Sequence, residues 1–350
     1  MKGNEAIAEA SILAGADAYF GYPITPQSEV MEYLMAEDPY NKRTGMVVLQ
    51  AESEVAAINM VFGAASAGKK VLTSSSSPGI SLMQEGLSYI AGAELPCVII
   101  NVVRAGPGLG TIQPSQADYF QAVKGGGHGD YNLIVLAPAS VQEMADFVPL
   151  AFDLAFKYRN PVMILSDGMI GQMMEKVKLF KAMPRKPVTA EWALTGKPES
   201  RDKNVITSLD LDSYENEKKN IRIQEKYKVL KKEDVRYEEI QCDDADYIFV
   251  AYGSSSRICQ KAIQLAREKG IKAGLLRPIT LFPFPMEAIE KLANRVKGFL
   301  SVEMSAGQMV QDVMLAAKNK VPVHHFGRFG GVVHSPSEVL EALENNFIKK

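Results

Sequence analysis

Val98-Ile99-Ile100-Asn101-Val102-Val103, closed by Arg104, is the run from which the fold can be read. Its apolar residues follow one another without polar alternation, as they do in a strand covered on both faces of a parallel sheet. Moving outward, 16–22, 46–49, 71–73, 133–136 and 162–165 show the same pattern. Helix-start signals stand between these runs. Thr25-Pro26 reads as an N-cap followed by proline at the first helical position. Ser140-Val141-Gln142-Glu143 reads as a capping box, in which Ser and Glu each satisfy an orphan backbone donor. Together these alternations predict an α/β domain with a mostly parallel sheet over 1–180.

Beyond it the rhythm stops. Residues 181–246 show no alternation of strand and helix, and 213–240 holds 15 charged residues in 28. Such a stretch predicts a solvated linker helix or excursion rather than a core layer. A second alternation starts at Tyr247, with strands predicted at 247–252, 271–276, 298–302 and 321–326. Helices are predicted from near Ser255, Pro285, Gly307 and Ser335. Ser335-Pro336-Ser337-Glu338 is a further capping box, and Gly270 and Gly298 stand where helix C-caps belong. A smaller α/β domain over 247–350 follows.

Composition narrows the functional classes. The 350 residues carry 39 Lys and Arg against 41 Asp and Glu, a net charge of -2, so there is no basic excess to neutralise a nucleic-acid backbone. The apolar stretches are short and interrupted by charge or glycine, so no membrane span is expected. Cys97, Cys242 and Cys259 lie far apart and form neither a CxxC pair nor a metal-ligand cluster. With no apolar signal core behind Met1-Lys2-Gly3-Asn4-Glu5, a reduced, cytoplasmic protein is predicted.

In an open parallel sheet, ligands bind at the carboxyl ends of the strands, where loops and helix N-termini converge. Tyr22-Pro23-Ile24-Thr25, Gln50-Ala51-Glu52-Ser53-Glu54, the serine run ending at Pro78-Gly79, and Arg104-Ala105-Gly106-Pro107-Gly108 all emerge there. Glu54 precedes a helix, 55–67, that is apolar almost all round and therefore predicted to be buried. It reads either as a first-turn carboxylate complementing the helix dipole or as a desolvated carboxyl of raised pKa that shares a proton with a ligand nitrogen. Glu52 competes for both roles and is the more solvent-facing of the two. Thr25 reads as a plain N-cap or a ligand contact. Arg104 needs an anion, which a substrate carboxylate or a structural Asp or Glu satisfies equally. Gly106-Pro107-Gly108-Leu109-Gly110 lacks the spacing of a phosphate loop and reads as a tight turn. Gly125-Gly126-Gly127-His128-Gly129 reads as a flexible loop.

Tyr22-Pro23-Ile24-Thr25-Pro26, Ser53-Glu54 opening a small-residue helix, the Ser/Thr-rich turn before Pro78-Gly79, and Arg104 occur in one order. In this the chain resembles the α-type subunits of the 2-oxoacid:ferredoxin oxidoreductases, thiamine diphosphate enzymes. Ser166-Asp167-Gly168 and Gly327-Arg328-Phe329-Gly330-Gly331 look most like the branched-chain, 2-oxoisovalerate type, with the 2-oxoglutarate type next. The resemblance implies a thiamine-diphosphate-binding, pyrimidine-domain-like parallel sheet domain followed by a transketolase C-terminal-like domain. It implies oxidative decarboxylation of a 2-oxoacid to acyl-CoA, with electrons passed to ferredoxin. Glu54 would hydrogen-bond the cofactor aminopyrimidine, Thr25 would contact substrate or cofactor, and Arg104 would hold the 2-oxoacid carboxylate. Tyr22, Pro23, Ile24 and Ser76 would complete the cofactor wall. The chain lacks the Gly-Asp-Gly motif with a following Asn that the family uses for magnesium and diphosphate, and three cysteines are too few for a cluster that takes four. Magnesium and 4Fe-4S clusters are therefore expected in a β-type subunit and a ferredoxin-like subunit, alongside a γ-type subunit. Two alternatives share these folds: an E1 β-type subunit of a lipoate-linked 2-oxoacid dehydrogenase, and a non-catalytic scaffold chain.

Overall fold

In the computed structural model, residues 1–185, 190–197 and 199–349 are described. Positions 186–189 and 198 of the 181–246 stretch, and position 350, lie outside the described residues. β1 (Ala18–Gly21), β2 (Val47–Gln50), β3 (Val71–Ser75), β4 (Cys97–Val103), β5 (Ile134–Leu136) and β6 (Pro161–Asp167) run parallel. They lie in the order β5-β6-β4-β3-β1-β2. All seven residues of β4 are buried. Cys97, Ile99 and Val103 enter one core and Val98, Ile100 and Val102 the other, so the period of two serves two apolar faces at once.

β7 (Tyr237–Ile240), β8 (Tyr247–Val250), β9 (Ala273–Pro278), β11 (Gly298–Glu303) and β12 (Val323–Gly327) form a second sheet in the order β12-β11-β8-β9-β7. It is parallel except for β7, which pairs antiparallel with β9. β10 (Thr280–Phe282) leaves this sheet and pairs antiparallel with β5 at the edge of the first, Thr280 opposite Leu136 and Phe282 opposite Val135. One of the two cores flanking β4 continues into the second unit through Ile248, Val250, Leu276 and Phe299.

Several local expectations need correction. The 181–246 stretch does contain a strand, β7, whose burial is slight (edge position, three of four residues exposed), so its sequence carries no apolar signature. β10 was not expected either; three residues at a sheet margin are too short to show a period. The charged segment forms a helix, Ser213–Glu233, capped by Asp212, but it is not wholly solvated. Ile223, Tyr227 and Leu230, spaced at helical intervals, are buried in the core beneath the first sheet. Tyr227 packs edge-on against Phe282 and bonds Asn132 and Asn160. Gly298 is the first residue of β11, not a helix C-cap. A Cβ there would strike the Phe347 ring, so close packing rather than turn geometry requires glycine. Ser140 caps its helix through the Glu143 amide. The reciprocal half of that box is replaced: Glu143 accepts from Ala139 N and pairs with Arg277 of β9 across the two units. The box at Ser335 forms completely.

No helix among the described residues is long and apolar enough to cross a membrane. Tyr227 joins the charged helix to the core, so Tyr227→Phe is expected to cost about 1–2 kcal/mol in urea unfolding, from its buried bonds to Asn132 and Asn160. Leu230→Ala is expected to cost about 2–4 kcal/mol. Unchanged midpoints in both variants would show that the helix is not docked.

Candidate functional site

The loop after β1 is held by its carbonyls. The buried Gln27 side chain donates to the Tyr22 carbonyl at 3.1 Å and accepts from Ser74 Oγ at 2.6 Å, and Ser74 in turn bonds the Tyr19 hydroxyl. Asn4 and Gln172 both donate to the Pro26 carbonyl, at 2.7 and 3.1 Å. Arg104 Nη1 donates to the Thr25 carbonyl at 3.1 Å. A motif of this kind has few side-chain donors of its own, so surrounding elements fix its backbone. Thr25 is exposed and does not cap a helix: the helix is Ser28–Glu37, with Gln27 at the N-cap position. The N-cap reading of Thr25 is therefore wrong, because Pro26 and Gln27 form a turn before the helix begins. Tyr22 and Ile24 are half-buried and Pro23 is exposed.

Glu54 opens the helix Glu54–Ser66, whose N-cap Ser53 accepts from the Ala56 amide. Its side chain belongs to a residue only 6% exposed, while Glu52 lies in solvent. The helix is less buried than its composition predicts. Val55 is exposed and Met60 and Phe62 are half-buried, so an apolar face is left uncovered. Glu54 lies against Gly79: a Cβ at that glycine would come within 2.5 Å of Glu54 Oε1 and would overlap Ser75 Oγ. The hydroxyls of Thr73, Ser75 and Ser76 are buried without hydrogen-bond partners, and Ser76 caps the helix Ser77–Gly92 with its backbone conformation alone.

Arg104, at the end of β4, is 9% exposed. Its backbone N–H and carbonyl both meet Ser77 Oγ at 3.1 Å. Beyond the Thr25 carbonyl its guanidinium has no protein partner at Nε, and among the described residues no carboxylate lies within 4.0 Å of it. The structural Asp or Glu that would explain a buried arginine is not there. Thus β1, β3 and β4, neighbours or near-neighbours in the sheet, bring together Thr25, Ser76 and Arg104. Gly79 and Ser77, in the first turn of one helix, tie Glu54 to the same edge. Gln27 and Asn4 escaped the sequence reading, which placed Ser77 and Gly79 at this sheet edge without assigning either a contact. Their only signal is polar or small residues beside a motif, which many structural roles also produce.

Asp167-Gly168 ends β6. Asp167, fully buried, caps the helix Gly168–Gln172 through the Met169 and Ile170 amides and accepts from Ser254, and burial raises its pKa against the pull of those bonds. His128 packs edge-on against Tyr89 at 5.9 Å, apart from this cluster. Gly110 could not carry a Cβ without overlapping the Ala105 carbonyl, so the Gly106–Gly110 run is a turn. Among the described residues no group of three or more His, Cys, Asp or Glu side chains could hold a metal, and all three cysteines are free and buried.

Residues 9–241 match the family model described as pyruvate flavodoxin/ferredoxin oxidoreductase, thiamine diphosphate binding, and residues 245–339 match core domain II of pyruvate:ferredoxin oxidoreductase. The chain belongs to the thiamine-diphosphate-dependent 2-oxoacid:ferredoxin oxidoreductases. It is 52% identical to a ketoisovalerate oxidoreductase subunit VorB of Methanothermobacter thermautotrophicus, over 98% of this chain and 96% of that one. It is 37% identical to a 2-oxoglutarate synthase subunit KorA of Methanocaldococcus jannaschii, over 98% of each chain. Among solved structures, the 2-oxoglutarate:ferredoxin oxidoreductase of Magnetococcus marinus, with 2-oxoglutarate, coenzyme A and succinyl-CoA bound, superposes with a TM-score of 0.84 at 27% identity. That alignment covers 99% of this chain and 64% of the other. Family membership sets aside the lipoate-linked E1 alternative, and the two-unit α/β architecture is that of the family. Both of these relatives are named as subunits, the first of them of an oxidoreductase.

The Gly79 contact can be tested by Gly79→Ala. The added methyl must displace the Glu54 side chain from Cγ outward and the Ser75 hydroxyl, with no backbone atom among its nearest contacts, so the fold should survive with a loss of about 1–3 kcal/mol. A crystal structure of the variant should show Glu54 rotated, and an unmoved Glu54 would refute the contact.

Proposed function

We propose that this chain is the α-type subunit of a complex that oxidatively decarboxylates a branched-chain 2-oxoacid, 3-methyl-2-oxobutanoate, to its acyl-CoA and CO2 and passes the electrons to ferredoxin. The observation that carries the reading is Glu54, a residue only 6% exposed whose carboxylate takes no hydrogen bond from any described residue. A carboxylate in so nearly closed a position, with no protein donor, suits a ligand that brings one. The ring nitrogen of the thiamine aminopyrimidine becomes such a donor once it carries the proton it shares with the carboxyl, and the unpartnered hydroxyls of Ser75 and Ser76 suit the polar edge of the ring.

When bound, thiamine diphosphate supplies a nucleophilic thiazolium carbon and an electron sink for decarboxylation. Glu54 holds the proton at the pyrimidine nitrogen and fixes the ring. Arg104, with one nitrogen committed to Thr25 and Nε free, binds the substrate carboxylate. Thr25, whose backbone that arginine fixes, donates its exposed hydroxyl to substrate or cofactor. Tyr22, Pro23, Ile24 and Ser76 form the cofactor wall.

Substrate class is supported by the ketoisovalerate name of the 52% identical relative and by the apolar character of the loops beside Arg104. Leu109, Ile112 and Phe329 are 82%, 54% and 65% exposed, on segments that meet where Gly331 packs against Thr111 and Gln113. A branched alkyl group suits that rim, whereas a dicarboxylate calls for a second cation.

The diphosphate end does not fit this chain, which has no cluster of metal-binding side chains among its described residues and no Gly-Asp-Gly motif in its sequence. We assign diphosphate, magnesium and a first 4Fe-4S cluster to a β-type subunit, and further clusters and assembly to ferredoxin-like and γ-type subunits. The uncovered apolar residues Val47 and Leu49 of β2, Val55 and Leu82 support such a neighbour. Coenzyme A accepts the acyl group in the assembled enzyme. Buried thiols suit a reducing cytoplasm.

Glu54→Gln in the reconstituted complex is expected to assemble normally and to lose at least about 100-fold in kcat. Normal assembly with undiminished turnover would leave a scaffold role. The purified chain alone is expected to be colourless and inactive in 2-oxoacid-dependent viologen reduction. A brown preparation or measurable turnover would place a cluster or a full site in this subunit.

A further inference from the structure

A cavity of 770 Å³ opens between the two units at the far margin of the first sheet. It is separate from the Glu54 and Arg104 cluster. That cluster lies at the carboxyl ends of β1, β3 and β4. The cavity lies beside β10 and the residues preceding β5, at the opposite, amino end of the sheet. Its walls are apolar: Phe282 ends β10, Phe284 follows it, Met286 opens the next helix, and Leu315 projects from the helix Met309–Ala317. A volume of this size is in the range that encloses a small ligand.

The polar groups around it are uneven in sign. Lys124 and Asp312 neutralise each other in an ion pair, and Tyr119 gives Asp312 a further hydrogen bond at 2.6 Å. Lys231 and Lys232, in the last turn of the helix Ser213–Glu233, make no ion pair with any described residue. Lys231 instead stands 5.4 Å from the centre of the Phe282 ring. Glu287 is the remaining acidic group on the lining. Asn132 also lines the cavity; its backbone is held by Tyr227, and its side-chain amide makes no hydrogen bond among the described residues. Two unpaired ammonium groups, a free amide and an aromatic floor are complementary to one chemistry: an anionic group attached to a flat or branched apolar body.

We propose that this cavity is a second ligand site, which takes a small apolar-bodied anion by its carboxylate or phosphate on Lys231 and Lys232 and by its ring or alkyl part on Phe282, Phe284 and Met286. The site belongs to this chain alone and does not depend on the reading of Glu54 and Arg104. Calorimetric titration of the full chain with phenylacetate and, separately, with adenosine monophosphate tests it and distinguishes a carboxylate source from a phosphate source. Saturable 1:1 binding of at least one probe is expected, with a Kd below about 1 mM. Lys231→Glu/Lys232→Glu should weaken that binding at least tenfold, and so should Leu315→Glu, which places a carboxylate at the mouth without touching either lysine. Lys218→Glu, on the same helix but outside the cavity, should leave it unchanged. All of these side chains are exposed, and thermal unfolding of the variants confirms that the fold is kept. The proposal is overturned if neither probe saturates by about 10 mM, or if binding is indifferent to both the lysine reversal and Leu315→Glu.

Discussion

The two-sided burial of β4 organises the rest of the molecule. A strand with apolar side chains on both faces is stable only where each face has its own core, so helices must cover the first sheet above and below. Its last buried residue hands the chain to Arg104, and there the environment changes from apolar to polar within one step. The guanidinium is held near the sheet end by the Thr25 carbonyl and its backbone by Ser77. The site geometry thus depends on a core strand and not on a mobile loop, which is how a cationic group can be kept in place without a carboxylate to neutralise it.

The segment that follows Arg104 does not return directly to the first sheet. Gln116 bonds the Tyr252 carbonyl, Ser255 and the Met304 amide, satisfying its buried amide entirely from the second unit. Tyr119 with Asp312, Asp167 with Ser254, and Glu143 with Arg277 add further polar contacts across the same seam. A buried polar seam of this kind tolerates little sliding, because a shift leaves several groups without partners at once. The second sheet therefore acts as a clamp on the segment that follows Arg104, although none of its strands supplies a residue to the Glu54 cluster.

The same edge is unfinished on its own. Glu54 is only 6% exposed and accepts no hydrogen bond from a described residue, Arg104 has a free nitrogen, and several serine hydroxyls have no partner, while apolar side chains on β2 and on the helix that Glu54 opens remain uncovered. Unsatisfied polar groups beside an uncovered apolar face are the physical form of the proposed half-site: a ligand completes the first and a neighbouring subunit the second.

The amino-acid sequence by itself determined the strands that are long and apolar, the helices with explicit caps at Ser140 and Ser335, and the positions of Glu54, Thr25 and Arg104 along the chain. Those features are written in local period and in residue type, which need no tertiary partner to be read. The family followed from one ordered set of motifs. Tertiary structure alone decided the rest. β7 and β10 are strands because a neighbour offers them hydrogen bonds, not because their own residues demand it. Close packing leaves no room for a side chain at 298, against the ring of Phe347, or at 79, against Glu54 as placed here, contacts between residues distant in sequence. The charged helix docks through three side chains whose spacing is diluted by its many lysines and glutamates. Thr25 is freed from capping by a turn set by Gln27, Asn4 and Gln172, which lie on separate elements and meet only when the chain is folded.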